Sequence, residues 1–150
     1  MTIEATIIRT EPDSVYQGAV YDQTVVIELP DGTRFGLFDP DVTVGSKFIG
    51  QTVQLTVTVL VHEGGIERLT EGMGEIIPST DNPLSWRNHV YVGRIDEFLS
   101  WSGNRREIQL DIGTGTIIVR PKQELIGELR EGDILRIDAS RSDVTGIETV

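Results

Sequence analysis

The chain has no cysteine, lysine occurs only at Lys47 and Lys122 in 150 residues, and aromatic residues make up 6%. Without cysteine, disulfides and thiolate metal sites are excluded, which fits a reducing compartment; a cytoplasmic location is expected. Long apolar runs are also missing. The longest, such as Val59-Leu60-Val61, fall far short of a membrane span, so no membrane partner is expected. Met1-Thr2-Ile3-Glu4-Ala5-Thr6 is acidic and alternating, without the basic and then apolar pattern of a signal peptide. Helical periodicity never extends beyond a couple of turns, which excludes a helical bundle.

What the chain has in excess is acid. Aspartate and glutamate number 24 against 13 lysines and arginines, giving a net charge of -11. This acid-rich, lysine-poor balance matches salt-adapted proteins, whose carboxylate surfaces stay hydrated in concentrated salt; it also describes an ordinary acidic soluble protein. In either case self-repulsion is large at low ionic strength, and salt is expected to stabilise the fold.

Alternation with period two and abundant β-branched residues predict an all-β protein. In Gln51-Thr52-Val53-Gln54-Leu55-Thr56-Val57-Thr58-Val59 the apolar residues fall on odd numbers, which gives one buried and one wet face. Strands are expected at about 3–10, 22–29, 33–38, 51–62 and 66–70, and again at 89–98, 106–112, 116–120, 133–139 and 143–149. The second set echoes the first about eighty residues later. Val25-Val26-Ile27-Glu28-Leu29-Pro30-Asp31-Gly32-Thr33 returns as Ile108-Gln109-Leu110-Asp111-Ile112-Gly113-Thr114-Gly115-Thr116, and Gly50-Gln51-Thr52-Val53-Gln54-Leu55 returns as Gly132-Asp133-Ile134-Leu135-Arg136-Ile137. Such a period is too long for a solenoid repeat and implies an internal duplication of a small barrel. The expected division is a first, mainly structural barrel at 1–77, a linker at 78–87 within a Gly/Pro-rich stretch that begins at Glu71, and a second barrel at 88–150.

Pro121-Lys122-Gln123-Glu124-Leu125-Ile126-Gly127-Glu128-Leu129 reads as a short helix plugging a barrel end, with proline at its first position and Leu125 and Leu129 one turn apart. Three strands, a helical plug and two more strands is the order of the five-stranded oligonucleotide/oligosaccharide-binding (OB) barrel. Leu129-Arg130-Glu131-Gly132-Asp133-Ile134-Leu135-Arg136-Ile137 resembles the L-x-x-G-D lead-in to the fourth strand of such modules. The fold class is therefore expected to be two tandem five-stranded OB-like small β-barrels. The first half departs from the pattern, with Gly50-Gln51 in place of Gly-Asp and a weaker plug at Asp39-Pro40-Asp41-Val42-Thr43-Val44.

Catalytic signals are poor. His62 and His89 lack a metal-binding spacing, no G-x-S-x-G elbow occurs, and Gly113-Thr114-Gly115-Thr116 joins two strands without the helix N-terminus that would hold a phosphate. Asp39 and Asp41 could face a hard cation, but the EF-hand pattern is absent and a solvated turn explains them. No enzyme activity, metal or cofactor is expected.

Binding is the better-supported class. Residues 1–77 carry only Arg9, Arg34, Lys47 and Arg68 as bases, whereas the second half is nearly balanced in charge. Its loops contain Ser100-Trp101-Ser102-Gly103-Asn104-Arg105-Arg106 and Ser140-Arg141-Ser142, at the positions that flank the ligand face of an OB barrel. Trp101 could stack on a base while Arg105, Arg106 and Arg141 meet phosphates, with Trp86, Arg87 and Tyr91 extending the surface toward single-stranded nucleic acid. Glu107, Gln109 and Asp111 occupy the outward positions of the strand that follows, and the two carboxylates among them oppose this by repelling phosphate. The alternative is an acidic protein-interaction or assembly module of a larger complex, in which exposed aromatics anchor a protein partner.

Overall fold

The computed structural model describes residues 1–102, 105–122 and 128–150, with side chains for all of these except Trp101, Ser102 and Arg105. The plug expected at 121–129 falls largely on 123–127, outside the described residues. Among the described residues there are nine strands: β1 Ile3–Tyr16, β2 Ala19–Glu28, β3 Arg34–Asp39, β4 Thr52–Leu69, β5 Glu75–Ile77, β6 Val90–Ser102, β7 Arg105–Asp111, β8 Thr116–Arg120 and β9 Ile134–Thr149. One 3-10 turn, Ser46–Phe48, precedes β4. As the composition implied, the fold is all-β, and no described helix is long and apolar enough to cross a membrane.

The strands form one sheet in the order β1-β2-β3-β9-β4-β8-β7-β6-β5, with further pairings β1–β4 and β9–β6. These extra pairings close two five-strand circuits, β1-β2-β3-β9-β4 and β6-β7-β8-β4-β9, which share β4 and β9. This corrects the expectation of two separately closed barrels, each using its own five strands. Segments expected as pairs of short strands, 51–62 with 66–70 and 133–139 with 143–149, run on as the single strands β4 and β9. The two lie antiparallel from Val53↔Thr149 to Leu69↔Ile134.

The reason is local. Gly64-Gly65 had looked like a turn between two strands. Instead it sits in a bulge where the register jumps from Val61↔Ala139 to Ile66↔Ile137, and Gly64 adopts a left-handed φ of 71°. A bulge bends the strand without reversing it. Each long strand thereby serves one circuit with its first part and the other with its second. Phe38↔Asp143 joins β3 to β9 in parallel, and Thr58↔Ile118 through Leu60↔Arg120 joins β8 to β4 in parallel.

The sequence echo is matched by individual hydrogen bonds. Gly50 N–H donates to Ile7 O at 2.7 Å and Ile7 N–H to Gln51 O at 3.0 Å; Gly132 N–H donates to Ile95 O and Ile95 N–H to Asp133 O, both at 2.8 Å. A bulge follows in each half, between Ile7 and Arg9 and between Ile95 and Glu97. The two echo hairpins close alike, through Leu29 N–H to Thr33 O and Ile112 N–H to Gly115 O, both 2.9 Å.

The core is continuous across both halves. Val53, Leu55, Val57 and Val59 from β4 are buried with Leu135, Ile137 and Ala139 from β9, packed by Ile3, Ile7, Ile27, Phe35 and Leu37 on one side and Ile95, Ile108, Leu110, Ile117 and Val119 on the other. Burial of this apolar area, at about 25 cal/mol per Å², is the main term holding the halves together.

Candidate functional site

The segment between β5 and β6 is fastened to the sheet. Gly36 N–H donates to Pro83 O at 2.9 Å, Ser142 N–H to Trp86 O at 3.2 Å, and Ala139 N–H to His89 O at 3.0 Å. Gly36 has to be glycine here, because a Cβ at that position would lie 2.1 Å from Leu84 O. His89, fully buried, is the fastener that the sequence did not single out. Its Nδ1 accepts from Ser79 N–H at 2.9 Å, so the proton sits on Nε2, which donates to Gly36 O at 2.9 Å. Its ring meets Phe35 edge-on at 5.3 Å. Burial holds the ring's pKa below its ordinary value, with the hydrogen bond to Gly36 opposing in part.

This fastening places Trp86 and Arg87 beside β3 and β9. The Trp86 ring lies 5.1 Å from that of Phe38, and the Arg87 guanidinium sits 4.3 Å from the Trp86 centroid. Arg141 lies 5.0 Å from the Phe38 centroid, anchored through Nε and an Nη to both carboxylate oxygens of Asp143 at 2.8 and 2.9 Å. Four planar groups, Arg87, Trp86, Phe38 and Arg141, are thus in successive contact, an arrangement that cation–π attraction favours. Asp143 is buried, which pushes its carboxyl pKa up, while the Arg141 guanidinium pulls it back.

An open cleft of about 470 Å³ adjoins this stack. One wall is formed by Leu84, Trp86 and Arg87, the other by Arg9, Glu11 and Asp13 at the root of the β1–β2 hairpin. Glu11 is paired with Arg9 at 2.7 Å in the open, and Asp13 accepts from the Thr24 hydroxyl at 2.8 Å.

Above the cleft, β1 and β2 run on as a two-stranded ribbon. Pairing of β1 with β4 ends at Thr6, and pairing of β2 with β3 covers only Gln23 to Glu28, yet β1 and β2 stay paired to Tyr16↔Ala19. Gln17 and Gly18, both at positive φ, close the tip. Every residue from 11 to 21 is exposed. Val15, Tyr16 and Tyr21 stand 59%, 63% and 57% exposed, with the tyrosine rings 6.4 Å apart. The first strand was expected to end near residue 10 but runs on to Tyr16; Pro12 is tolerated because that edge of β1 has no strand beside it.

The residues expected to bind ligand fall into three groups. Trp86, Arg87 and Arg141 come together around Phe38. Arg106 lies on the β6–β7 hairpin, exposed and 5.1 Å from the Phe98 ring centroid; Trp101 and Arg105 belong to the same hairpin, but their side chains are outside the described residues. Tyr91 is core. It is fully buried with its hydroxyl 2.7 Å from Ser142 Oγ, and burial pushes the phenol pKa far above its ordinary value, so it presents nothing to a ligand. This corrects the expectation that Tyr91 extends the binding surface.

Asp39, the other candidate, is buried and accepts from Thr43 N–H, Val44 N–H and Gln23 Nε2 at 2.8, 2.8 and 2.9 Å, which makes it the organiser of its own loop. His62 is on the surface, 2.8 Å from Asn88 Oδ1. No group of three or more metal-ligating side chains is present among the described residues. The chain matches no known family model, and no curated protein matches its sequence.

Proposed function

We propose that this chain is a non-catalytic protein-interaction module whose body is a duplicated pair of OB-like barrels that have exchanged strands. Each closed circuit has the five strands of such a barrel, and the paired bonds at Gly50 and Gly132 repeat one design twice. In this reading 1–77 and 88–150 are the two copies, and the exchange of β4 and β9 makes them one rigid body.

The observation that carries the choice of protein over nucleic acid is how the arginines are engaged. Arg9, Arg34, Arg120, Arg136 and Arg141 each stand within ion-pair distance of a carboxylate, so their charge is largely answered inside the molecule. A phosphate-binding surface needs an unanswered basic excess, and a net charge of -11 works against it. Exposed tyrosine and valine on a ribbon suit a protein partner, for which rigid aromatics are the usual anchors.

One observation favours the second reading, single-stranded nucleic acid: Arg106 is exposed on the hairpin that also carries Trp101 and Arg105. Titration of fluorescent oligothymidylate and oligouridylate at low and physiological salt separates the two. No saturable binding is expected. Saturable binding that weakens steeply with salt, and by about 1–3 kcal/mol in Trp101→Ala, would replace the protein reading with the nucleic-acid one.

A further inference from the structure

We propose that the β1–β2 ribbon and the cleft at its root are a docking site for a basic, amphipathic segment of a partner protein, apolar along one face and flanked by lysine or arginine. This rests on the protein-interaction reading and names its surface and its partner's chemistry.

Three observations converge on the ribbon. First, a two-stranded hairpin is marginal in water without a third strand or a packing surface. Here residues 11 to 21 have neither, yet carry Val15, Tyr16, Val20 and Tyr21 in the open. These side chains contribute little to this fold, and an exposed apolar patch rimmed by polar groups marks an interaction surface.

Second, carboxylates outnumber cations around that patch. Glu11, Asp13 and Asp22 flank it, and the nearby Arg9 is already bound to Glu11. Asp13 has a neutral hydroxyl for a partner, which leaves its charge unanswered. Asp22 Oδ1 at the ribbon's base is buried without any hydrogen-bond donor, which is costly for a carboxylate and leaves a demand for positive charge near it.

Third, Glu11 and Asp13 also line the cleft, opposite Leu84, Trp86 and Arg87, the last held over the Trp86 ring, so the acidic rim continues from the ribbon into a recess. A cationic side chain entering there would lie between carboxylates and apolar surface, while the partner's apolar face covers Tyr16 and Tyr21. A second copy of this chain is the wrong occupant, because each copy would bring the same acidic rim and a net charge of -11.

The test uses the whole chain, uniformly labelled with nitrogen-15, and a short peptide of alternating leucine and lysine as probe, with a leucine–glutamate peptide as control. Saturable amide shifts confined to the ribbon and cleft are expected with the lysine peptide and none with the glutamate peptide. Tyr16→Ser/Tyr21→Ser and Glu11→Gln/Asp13→Asn should each weaken the affinity about tenfold. Circular dichroism shows whether these variants remain folded, and wild-type titration reads the site without any substitution. Saturable shifts elsewhere on the sheet would overturn the ribbon assignment while leaving a protein-binding role intact. No saturable shift with the lysine peptide overturns this proposal, and saturable binding of the oligonucleotides would sink the protein reading as well. Wild-type sedimentation as a dimer that the tyrosine variant abolishes would give the ribbon to a second copy instead.

Discussion

The β1–β2 and β6–β7 hairpins leave the sheet through the same device and end differently. Each follows a bulge, at Ile7/Arg9 or Ile95/Glu97, just beyond the doubled hydrogen bond to Gly50-Gln51 or Gly132-Asp133. On the first, residues 11 to 21 are all exposed and its two tyrosine rings lie 6.4 Å apart. On the second, Phe98 packs against the core and Arg106 covers its ring. The repeated part is the framework, and the part that diverged is what each framework extends outward. Stability is therefore expected to reside in the shared strands β4 and β9, with recognition in the ribbons.

The largest effect should come from the shared strands. Leu55 and Ile137 occupy corresponding places in the two copies, and both are fully buried. Leu55→Ala and Ile137→Ala should each cost about 2–5 kcal/mol, because removing buried methyl groups leaves a cavity that a bulged but tightly paired sheet cannot close. Urea unfolding should remain a single transition, coincident by far-ultraviolet circular dichroism and tryptophan fluorescence, in both variants. Two separated transitions would mean that the halves fold apart.

Next in size is the joint where β9 meets β3. Arg141→Ala leaves the buried Asp143 carboxylate without the two hydrogen bonds that satisfy it, at a cost of about 2 kcal/mol. Adding Asp143→Asn should recover part of the loss. If Arg141→Ala proved neutral, the stack of Arg87, Trp86, Phe38 and Arg141 would have no structural role.

Acid separates the two halves of the joint by sign. Since burial lowers the His89 pKa, the unfolded chain takes the proton first. Stability is then complete above about pH 6.5 and falls as pH drops below it, by up to about 1.4 kcal/mol per unit, until the folded-state value is reached. Protonation would also turn Nδ1 from an acceptor into a donor facing the Ser79 N–H. Asp143 works in the opposite sense. Its carboxyl is raised, so the folded chain takes that proton first and gains stability as pH falls through the window from the raised value to 3.8. Denaturation midpoints measured from pH 8 to 5 should fall in the wild type and flatten in His89→Gln.

Much of this fold was legible in the sequence. Alternation in 51–59 marked β4, the echo of Gly50 in Gly132 marked two matching turns into β4 and β9, and Pro30-Asp31-Gly32 marked a hairpin, with Asp31 accepting from Thr33 N–H at 2.9 Å. Strand exchange was not legible. Whether Gly64-Gly65 reverses the chain or only bulges it depends on whether β9 lies alongside, a contact that no local pattern encodes. Of the candidate site, composition pointed to Trp86, Arg87 and Arg141 as aromatic and cationic but could not supply Phe38, which lay in a strand and was assigned to the core. The exposed ribbon was not legible: the strands expected at 3–10 and 22–29 stop short of residues 11 to 21, where Val15 and Val20 stand in the open. Nothing in local periodicity distinguishes a strand that has neighbours from one that has outrun them.

The smallest effect is the one that most directly sharpens the contrast between the hairpins. Tyr16→Ser and Tyr21→Ser remove large rings that touch mainly one another and water, so the folded and unfolded chains lose comparable hydration; each should shift stability by no more than about 0.5 kcal/mol. Phe98→Ser, nearer the root of the second hairpin, removes a ring partly packed on the core and under Arg106, and should cost about 1–2 kcal/mol. Denaturation of the three variants under one set of conditions reads the difference. Equal losses would mean that the first ribbon is held to the body as firmly as the second, and its tyrosines would then be structural groups. A clear gap leaves them with little to do in the folded monomer, which is the condition under which a surface of this size is free to be selected for a partner.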